Sequence, residues 1–291
     1  MTDVVKLPVT RWDQPCPPEL QAQAIDALER GQVLCFPELE FALDADEQRL
    51  LSPAIAGQGK NISLDPATGL LRGSSATGAE LQRLQAMVQR FADSSRALMR
   101  QLLPHYEAGL QQARTSFRPV EIAGRSTSWR KDDTRLHVDA FPSSPTRGTR
   151  ILRIFSNVNP QGQSRRWRLG EPFEDVARRF LPAIRGPLWG SSALLEMLHV
   201  TKGRRSAYDH FMLRLHDTMK ADLDYQARVA QSGYEFRPGS SWMVYTDQAS
   251  HAAMAGQHAL EQTYHLPVGA MHDPARSPLR TLERLLAREL V

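Results

Sequence analysis

His137 and Asp139 stand one residue apart in Arg135-Leu136-His137-Val138-Asp139-Ala140-Phe141, and His251 follows 114 residues later in Thr246-Asp247-Gln248-Ala249-Ser250-His251. On an extended segment residues i and i+2 project to the same side, so the first imidazole and the carboxylate share a face. A distant second imidazole completes the facial two-His-one-carboxylate set that holds Fe(II) and leaves coordination positions open. Only a fold that returns two remote segments to one mouth can assemble it. The chemistry implied is that of an oxygen-using enzyme.

The rest of the chain is compatible with such a fold and excludes other metal sites. With 291 residues and 41% apolar content it can fill a sizeable core. Cys16 and Cys35 are the only cysteines, which suits neither a disulfide framework nor a thiolate site and fits a reducing cytoplasm. Any metal is therefore expected on N and O donors. The start, Met1-Thr2-Asp3-Val4-Val5-Lys6, lacks a basic-then-apolar signal, and no run approaches the ~18 apolar residues of a membrane span. We expect a soluble protein that is not exported.

Charge hints at the partner. The net charge is +4, and arginines bunch at Arg147, Arg150 and Arg153 and at Arg165, Arg166 and Arg168, with Lys202, Arg204 and Arg205 beyond. Guanidinium groups grip carboxylate and phosphate in bidentate fashion, so an acidic substrate or cosubstrate is expected. No helix-turn-helix, RNP or zinc-finger signature accompanies them, and nucleic acid is not an expected partner.

No repeat or linker divides the chain, so 1–291 reads as one domain. Residues 1–119 read as mostly helical support, with a helix from Pro17-Pro18 to near Gly31, a buried strand at Gln32 to Pro37, and a helix from about Ala79 to Leu103 carrying an apolar stripe. From Val120 the texture turns to short strands: Ile151 to Phe155, Tyr234 to Arg237, Ser241 to Tyr245 and His258 to Leu266. A helical insertion at about 171–230 interrupts them, with helices at Phe173 to Leu181 and Ser206 to about Ala230. A tail over 268–291 ends in a helix opened by Ser277-Pro278. The expected class is α+β: a double-stranded β-helix, or distorted jelly roll, with N-terminal helices, a helical insertion and a C-terminal helix.

The His-X-Asp, long gap, His pattern over roughly residues 120–267 resembles the Fe(II)/2-oxoglutarate-dependent dioxygenases. Many members of that superfamily bind the far carboxylate of 2-oxoglutarate with an Arg or Lys about ten residues after the distal His, yet Ala252 through Pro267 contains neither. Other branches place the cation on the strand after the His-X-Asp loop, where this chain has Arg150 and Arg153. Counting back from Asn157 puts Ile151, Arg153 and Phe155 on the inner face, so Arg153 is the first choice. Arg150 is the fallback, because a bulge would exchange the faces. Asp247 or Thr246 is expected to accept the free N–H of a ligand imidazole.

A closer resemblance spans nearly the whole chain. Trp129 through Pro142, Ile151-Leu152-Arg153-Ile154-Phe155-Ser156-Asn157-Val158-Asn159-Pro160, Tyr208-Asp209-His210-Phe211-Met212-Leu213-Arg214-Leu215-His216-Asp217 and Thr246 through His251 look like the bacterial Kdo 3-hydroxylase family. The resemblance implies hydroxylation at C3 of a Kdo sugar in the lipopolysaccharide inner core, with Fe(II) as metal and 2-oxoglutarate and O2 as cosubstrates. It also implies an acidic glycolipid partner, Kdo-bearing lipid A, met at the inner face of the cytoplasmic membrane. Trp167 and Trp189, beside basic segments, read first as buried aromatics and second as aids at that interface. Arg147 at the mouth, and His210, Arg214 and Asp217 on a polar face of the insertion helix, are the expected substrate contacts. His210 or His216 could also compete as a metal ligand, because imidazole recurs on this helix, and His258 and His265 read as structural. Other readings of the same pattern are a dioxygenase acting on a protein side chain or another small acid, and a silent jelly roll that binds an acidic sugar.

Overall fold

The computed structural model describes residues 1–57, 59, 61–187, 196 and 201–291. Trp189 lies outside the described residues. Eleven strands among them form two sheets: β1 (Val4–Lys6), β2 (Val33–Phe36), β3 (Ile62–Leu64), β4 (Leu71–Arg72), β5 (Gln111–Arg118), β6 (Arg150–Asn157), β7 (Arg165–Leu169), β8 (Ser232–Phe236), β9 (Ser241–Tyr245), β10 (His251–Ala255) and β11 (Ala259–Leu266). The larger sheet runs β1-β2-β9-β6-β11-β5-β3-β4 and the smaller β10-β7-β8. Among the described residues only the β1–β2 pair is parallel. The two sheets face each other as a distorted jelly roll of the α+β class.

Alternation along β6 explains what lies on each side. Leu152 and Ile154 enter the core beneath α1 (Pro18–Glu29) and α3 (Gly78–Leu102), whose Leu28, Leu84, Phe91 and Leu98 are fully buried. Phe155 points the other way, between the sheets, into a cluster with Trp167, Phe236 and Trp242. There Trp242 stacks on Phe155 at 5.1 Å and on Phe236 at 4.1 Å, arrangements that add to the burial gain of such large rings. The sandwich interior is thus aromatic at one end, leaving the other for polar groups.

Between β7 and β8 lies the insertion, which contains α4 (Phe173–Phe180), α5 (Ala207–Ala221) and α6 (Leu223–Arg228). The short α2 (Ala45–Gln48) precedes α3, and α7 (Pro278–Leu286) closes the chain. A capping box between Ser206 and Asp209 starts α5, and Asp222 ends it by capping α6 through the Tyr225 N–H. The single long helix expected over Ser206 to Ala230 is therefore two. Tyr208, Phe211, Leu215 and Met219 bury one stripe against Leu136, Val138, α4 and α7.

The N-terminal third is more than helical support. β5 sits inside the large sheet between β11 and β3, and β1, β3 and β4 were not expected because runs of three residues or fewer leave no periodicity to read.

Candidate metal centre and its cavity

His137 lies on an extended segment outside the named strands. It forms an isolated antiparallel bridge with His251: each residue's N–H donates to the other's carbonyl, at 3.0 and 2.9 Å. The Asp139 N–H donates to Thr246 O at 2.7 Å. Leu136 and Val138 face the apolar insertion, so alternation turns His137 and Asp139 inward. At β7, Gly170 makes room for this assembly, since a Cβ there would fall 2.6 Å from Ser250 Oγ. One candidate ligand atom from each of His137, Asp139 and His251 lies within 4.8 Å of the others.

The donor set suits a divalent cation of intermediate hardness. His137 Nδ1 is 2.7 Å from Arg135 O, and His251 Nδ1 is 2.8 Å from Ala249 O. A carbonyl only accepts, so both rings carry their proton on Nδ1 and turn the Nε2 lone pair inward. These acceptors are backbone carbonyls, not the Asp247 or Thr246 side chains expected from sequence. Burial pushes His137 down to about 4 despite the opposing pull of Asp139, and burial likewise lowers His251. Burial would raise Asp139, but Arg153 outweighs it, with help from both imidazoles, and holds the carboxyl well below the usual range. Two neutral nitrogens and one carboxylate result. Asp139 Oδ2 is buried and receives no aligned hydrogen bond, which leaves a lone pair for an ion. Trp167, buried within the barrel, stacks on His251 at 5.1 Å and fixes that ring's plane.

Arg153 joins the centre to a cavity. Its guanidinium lies 2.9 Å from Asp139 Oδ2 and 2.9 Å from Glu261 Oε1. Glu261 also pairs with Arg118. Beyond them opens a cavity of about 640 Å³ lined in part by Arg118, Arg153, Glu261, Thr263, Ser143 and Lys202, a volume suited to a small ligand. Arg118 and Arg153 cancel Asp139 and Glu261 in formal charge. A bound dication would then need a dianion to restore neutrality in this buried site.

β6 pairs with β9 and β11 in unbroken register, so no bulge exchanges its faces. Arg150 consequently lies on the helix-covered side, fully buried, with Asp247 at 2.7 and 3.3 Å, Gln248 Oε1 at 2.6 Å, and the Tyr245 ring 3.9 Å beneath it. It is not among the residues lining the cavity. Its partners belong to the turn that carries Thr246 O and Ala249 O, the carbonyls that hold Asp139 and His251. Asp247→Asn leaves that cation buried without its charge partner and is expected to cost about 3–5 kcal/mol of stability. Urea unfolding measures this, and a loss below about 1 kcal/mol would contradict the clamp.

The proposed substrate contacts divide. Arg147 takes a left-handed φ of 51° and donates from Nε to Arg204 O at 3.2 Å, holding the loop to the insertion. His210 Nε2 meets Arg185 O at 2.9 Å, and Arg214 is exposed. At 100° per residue their face of α5 is turned about 120–160° from His216. It is His216 that packs edge-on against His137, with ring centroids 5.4 Å apart. Asp217 pairs with His216 and Arg130, not with His210 and Arg214.

The family model described as 3-deoxy-D-manno-oct-2-ulosonic acid (Kdo) hydroxylase matches residues 11–289. The chain belongs to the Kdo hydroxylase family. Solved structures of the Kdo hydroxylase KdoO, described as a non-heme Fe(II) α-ketoglutarate-dependent dioxygenase, are similar throughout. The complex with α-ketoglutarate and Fe(III) is 48% identical over 100% of this chain and 98% of that one, with a TM-score of 0.97. The complex with succinate and Fe(III) is 48% identical over 99% and 97%, with a TM-score of 0.96. A comparison with the curated proteins gave no match. Within this Kdo hydroxylase, Arg118 and Glu261 escaped the sequence reading. Glu261 falls in the stretch after His251 that carries neither Arg nor Lys, and Arg118 in the N-terminal part whose texture is mostly helical.

Proposed function

We propose that this chain hydroxylates C3 of a Kdo sugar in Kdo-bearing lipid A, using Fe(II), 2-oxoglutarate and O2. The observation that carries the reading is the inward His137, Asp139 and His251 set in a chain of the Kdo hydroxylase family. These three residues would hold the iron, which supplies, with 2-oxoglutarate and O2, the oxidising power to replace C–H by C–OH. Arg153 would bind the far carboxylate of 2-oxoglutarate, with Arg118 beside it. Two of their polar atoms support this: Arg118 Nε and Arg153 Nε are buried without a hydrogen-bond partner, a state that a carboxylate ligand would relieve. The dianion would also offset the charge of the metal.

The chain's own tasks are orientation and exclusion of water, because the outcome depends on which carbon is held nearest the metal. Trp167 and the two carbonyls fix the imidazoles, and Arg153 fixes the carboxylate. We assign the work to the cytoplasmic side of the inner membrane, with the protein peripheral and held by its lipid substrate. No helix among the described residues is long and apolar enough to cross a membrane.

Succinate release tests the reading against a silent binding module. Kdo-lipid A is expected to stimulate succinate formation in the presence of iron, 2-oxoglutarate and O2, and lipid A without Kdo is not. Tight binding of Kdo-lipid A with no succinate from the metal-loaded protein would overturn the enzyme reading.

A further inference from the structure

Two loops meet at the mouth of the cavity and bring cations with them. Residues 142–147 run between Asp139 and β6, and residues 202–205 precede α5. The Lys202 N–H donates to Ser143 O at 2.9 Å, Arg147 Nε donates to Arg204 O at 3.2 Å, and the Arg205 guanidinium donates to Pro142 O. Thr146 and Lys202 line the cavity directly, and Arg114 lines it from β5. Arg114, Arg147, Lys202 and Arg204 are exposed, and Arg205 is half-buried.

Backbone carbonyls hold these loops together, and acids do not. Among the described residues no carboxylate lies within ion-pair distance of any of the five cations. Asp209 reaches both loops, but it is taken up by the N–H groups of Thr146, Arg147 and Ser206 at 2.7, 3.0 and 2.9 Å. Elsewhere arginines meet acids, as Arg96 meets Glu107, Arg130 meets Asp217 and Arg284 meets Glu174. Deeper in the same cavity Arg118 and Arg153 are matched by Glu261 and Asp139. The cavity is therefore neutral at its floor and positive at its mouth.

Like charges gathered on two tied loops repel, and an anion from outside relieves that repulsion. Ser143, Ser144 and Thr146 add hydroxyls to the same rim. Several cations beside several hydroxyls suit a phosphate monoester, which carries nearly two negative charges and three acceptor oxygens. We propose that this rim binds a phosphate monoester on the lipid portion of the acidic glycolipid, so that the substrate is recognised partly by a group remote from the reacting carbon. This assignment rests on the function proposed above.

The test compares hydroxylation of Kdo-lipid A with that of the same glycolipid stripped of its lipid A phosphates, both in neutral detergent micelles. Wild type is expected to show a KM about 10-fold lower for the phosphorylated form, and added salt is expected to erase the difference by screening exposed pairs. Arg114→Gln/Lys202→Gln/Arg204→Gln removes three charges and no tie between the loops, because positions 202 and 204 are tied through their peptide groups. It is expected to raise the KM for the phosphorylated form about 10-fold, to leave that for the stripped form where it was, and to spare kcat, since the contact is made equally before and during reaction. Lys202→Arg/Arg204→Lys keeps the charge and the preference. Lipid A without Kdo is expected to compete with the substrate, and phosphatidylglycerol at equal charge is not.

Equal KM values for the two glycolipids in wild type overturn this assignment alone, as does a triple variant that loses the same factor on both. Competition by phosphatidylglycerol as strong as that by lipid A also overturns it, and makes the rim a contact for anionic surfaces in general. Wild type that hydroxylates neither glycolipid overturns the function proposed above and this assignment with it.

Discussion

His137→Ala is expected to abolish hydroxylation, with turnover falling by roughly three orders of magnitude or more, since the metal supplies the oxidising chemistry. The variant keeps the reciprocal backbone bonds between residues 137 and 251, because those use the peptide groups and not the ring. Folding should therefore survive. The expected pattern is a thermal transition within a few degrees of wild type, alongside a Co(II) titration that no longer saturates at stoichiometric metal. Turnover retained in this variant would remove His137 from the ligand set, and with it the basis for the fold's polar end.

Arg153→Ala has the second large effect. The guanidinium touches Asp139 on one side and Glu261 on the other, and lines the cavity, so its loss removes the proposed seat for the far carboxylate of 2-oxoglutarate. The KM for 2-oxoglutarate is expected to rise about 100-fold, the scale of losing a buried charge-assisted pair. Metal affinity falls less, because Asp139 remains a carboxylate on the same segment. Arg153→Lys keeps the charge but cannot reach both acids with a planar fork, so it should recover only part of the loss. An unchanged KM in Arg153→Ala would move the role to Arg118.

How far the sequence announced this arrangement depends on the kind of signal. The long helices α1 and α3 and the apolar β9 were legible because their periodicity extends over many residues. The two faces of β6 could be counted back from Asn157, which put Arg153 inside and left Arg150 in need of a bulge that unbroken pairing denies it. β7 was hidden because Arg165-Arg166-Trp167-Arg168-Leu169 reads as a basic loop, and β10 because His251-Ala252-Ala253-Met254-Ala255 has little β preference. Both strands are held by their neighbours in the small sheet and by Trp167. Local propensity did not announce them.

The site divides along the same line. The ligand set was legible from spacing and context: His137-Val138-Asp139 is the one His-X-Asp triplet in the sequence, and His251 follows a strand pair and precedes a last strand. The orientation of α5 was not. Helical periodicity places His210, Arg214 and Asp217 on the polar side of α5, but cannot say which part of that side meets the barrel. That is decided by Arg135 reaching the Lys220 carbonyl and by Gln226 holding both polar groups of the Leu136 backbone, contacts about 90 residues apart in the chain. They turn His216 toward His137 and leave His210 to the Arg185 carbonyl.

Mass spectrometry of Kdo-lipid A incubated in air with the protein, Fe(II) and 2-oxoglutarate tests the central claim most directly. The account predicts a gain of one oxygen confined to the Kdo fragment, at C3, matched by one succinate. An unmodified sugar with the iron bound, or an oxygen gained on the lipid A portion, would contradict it.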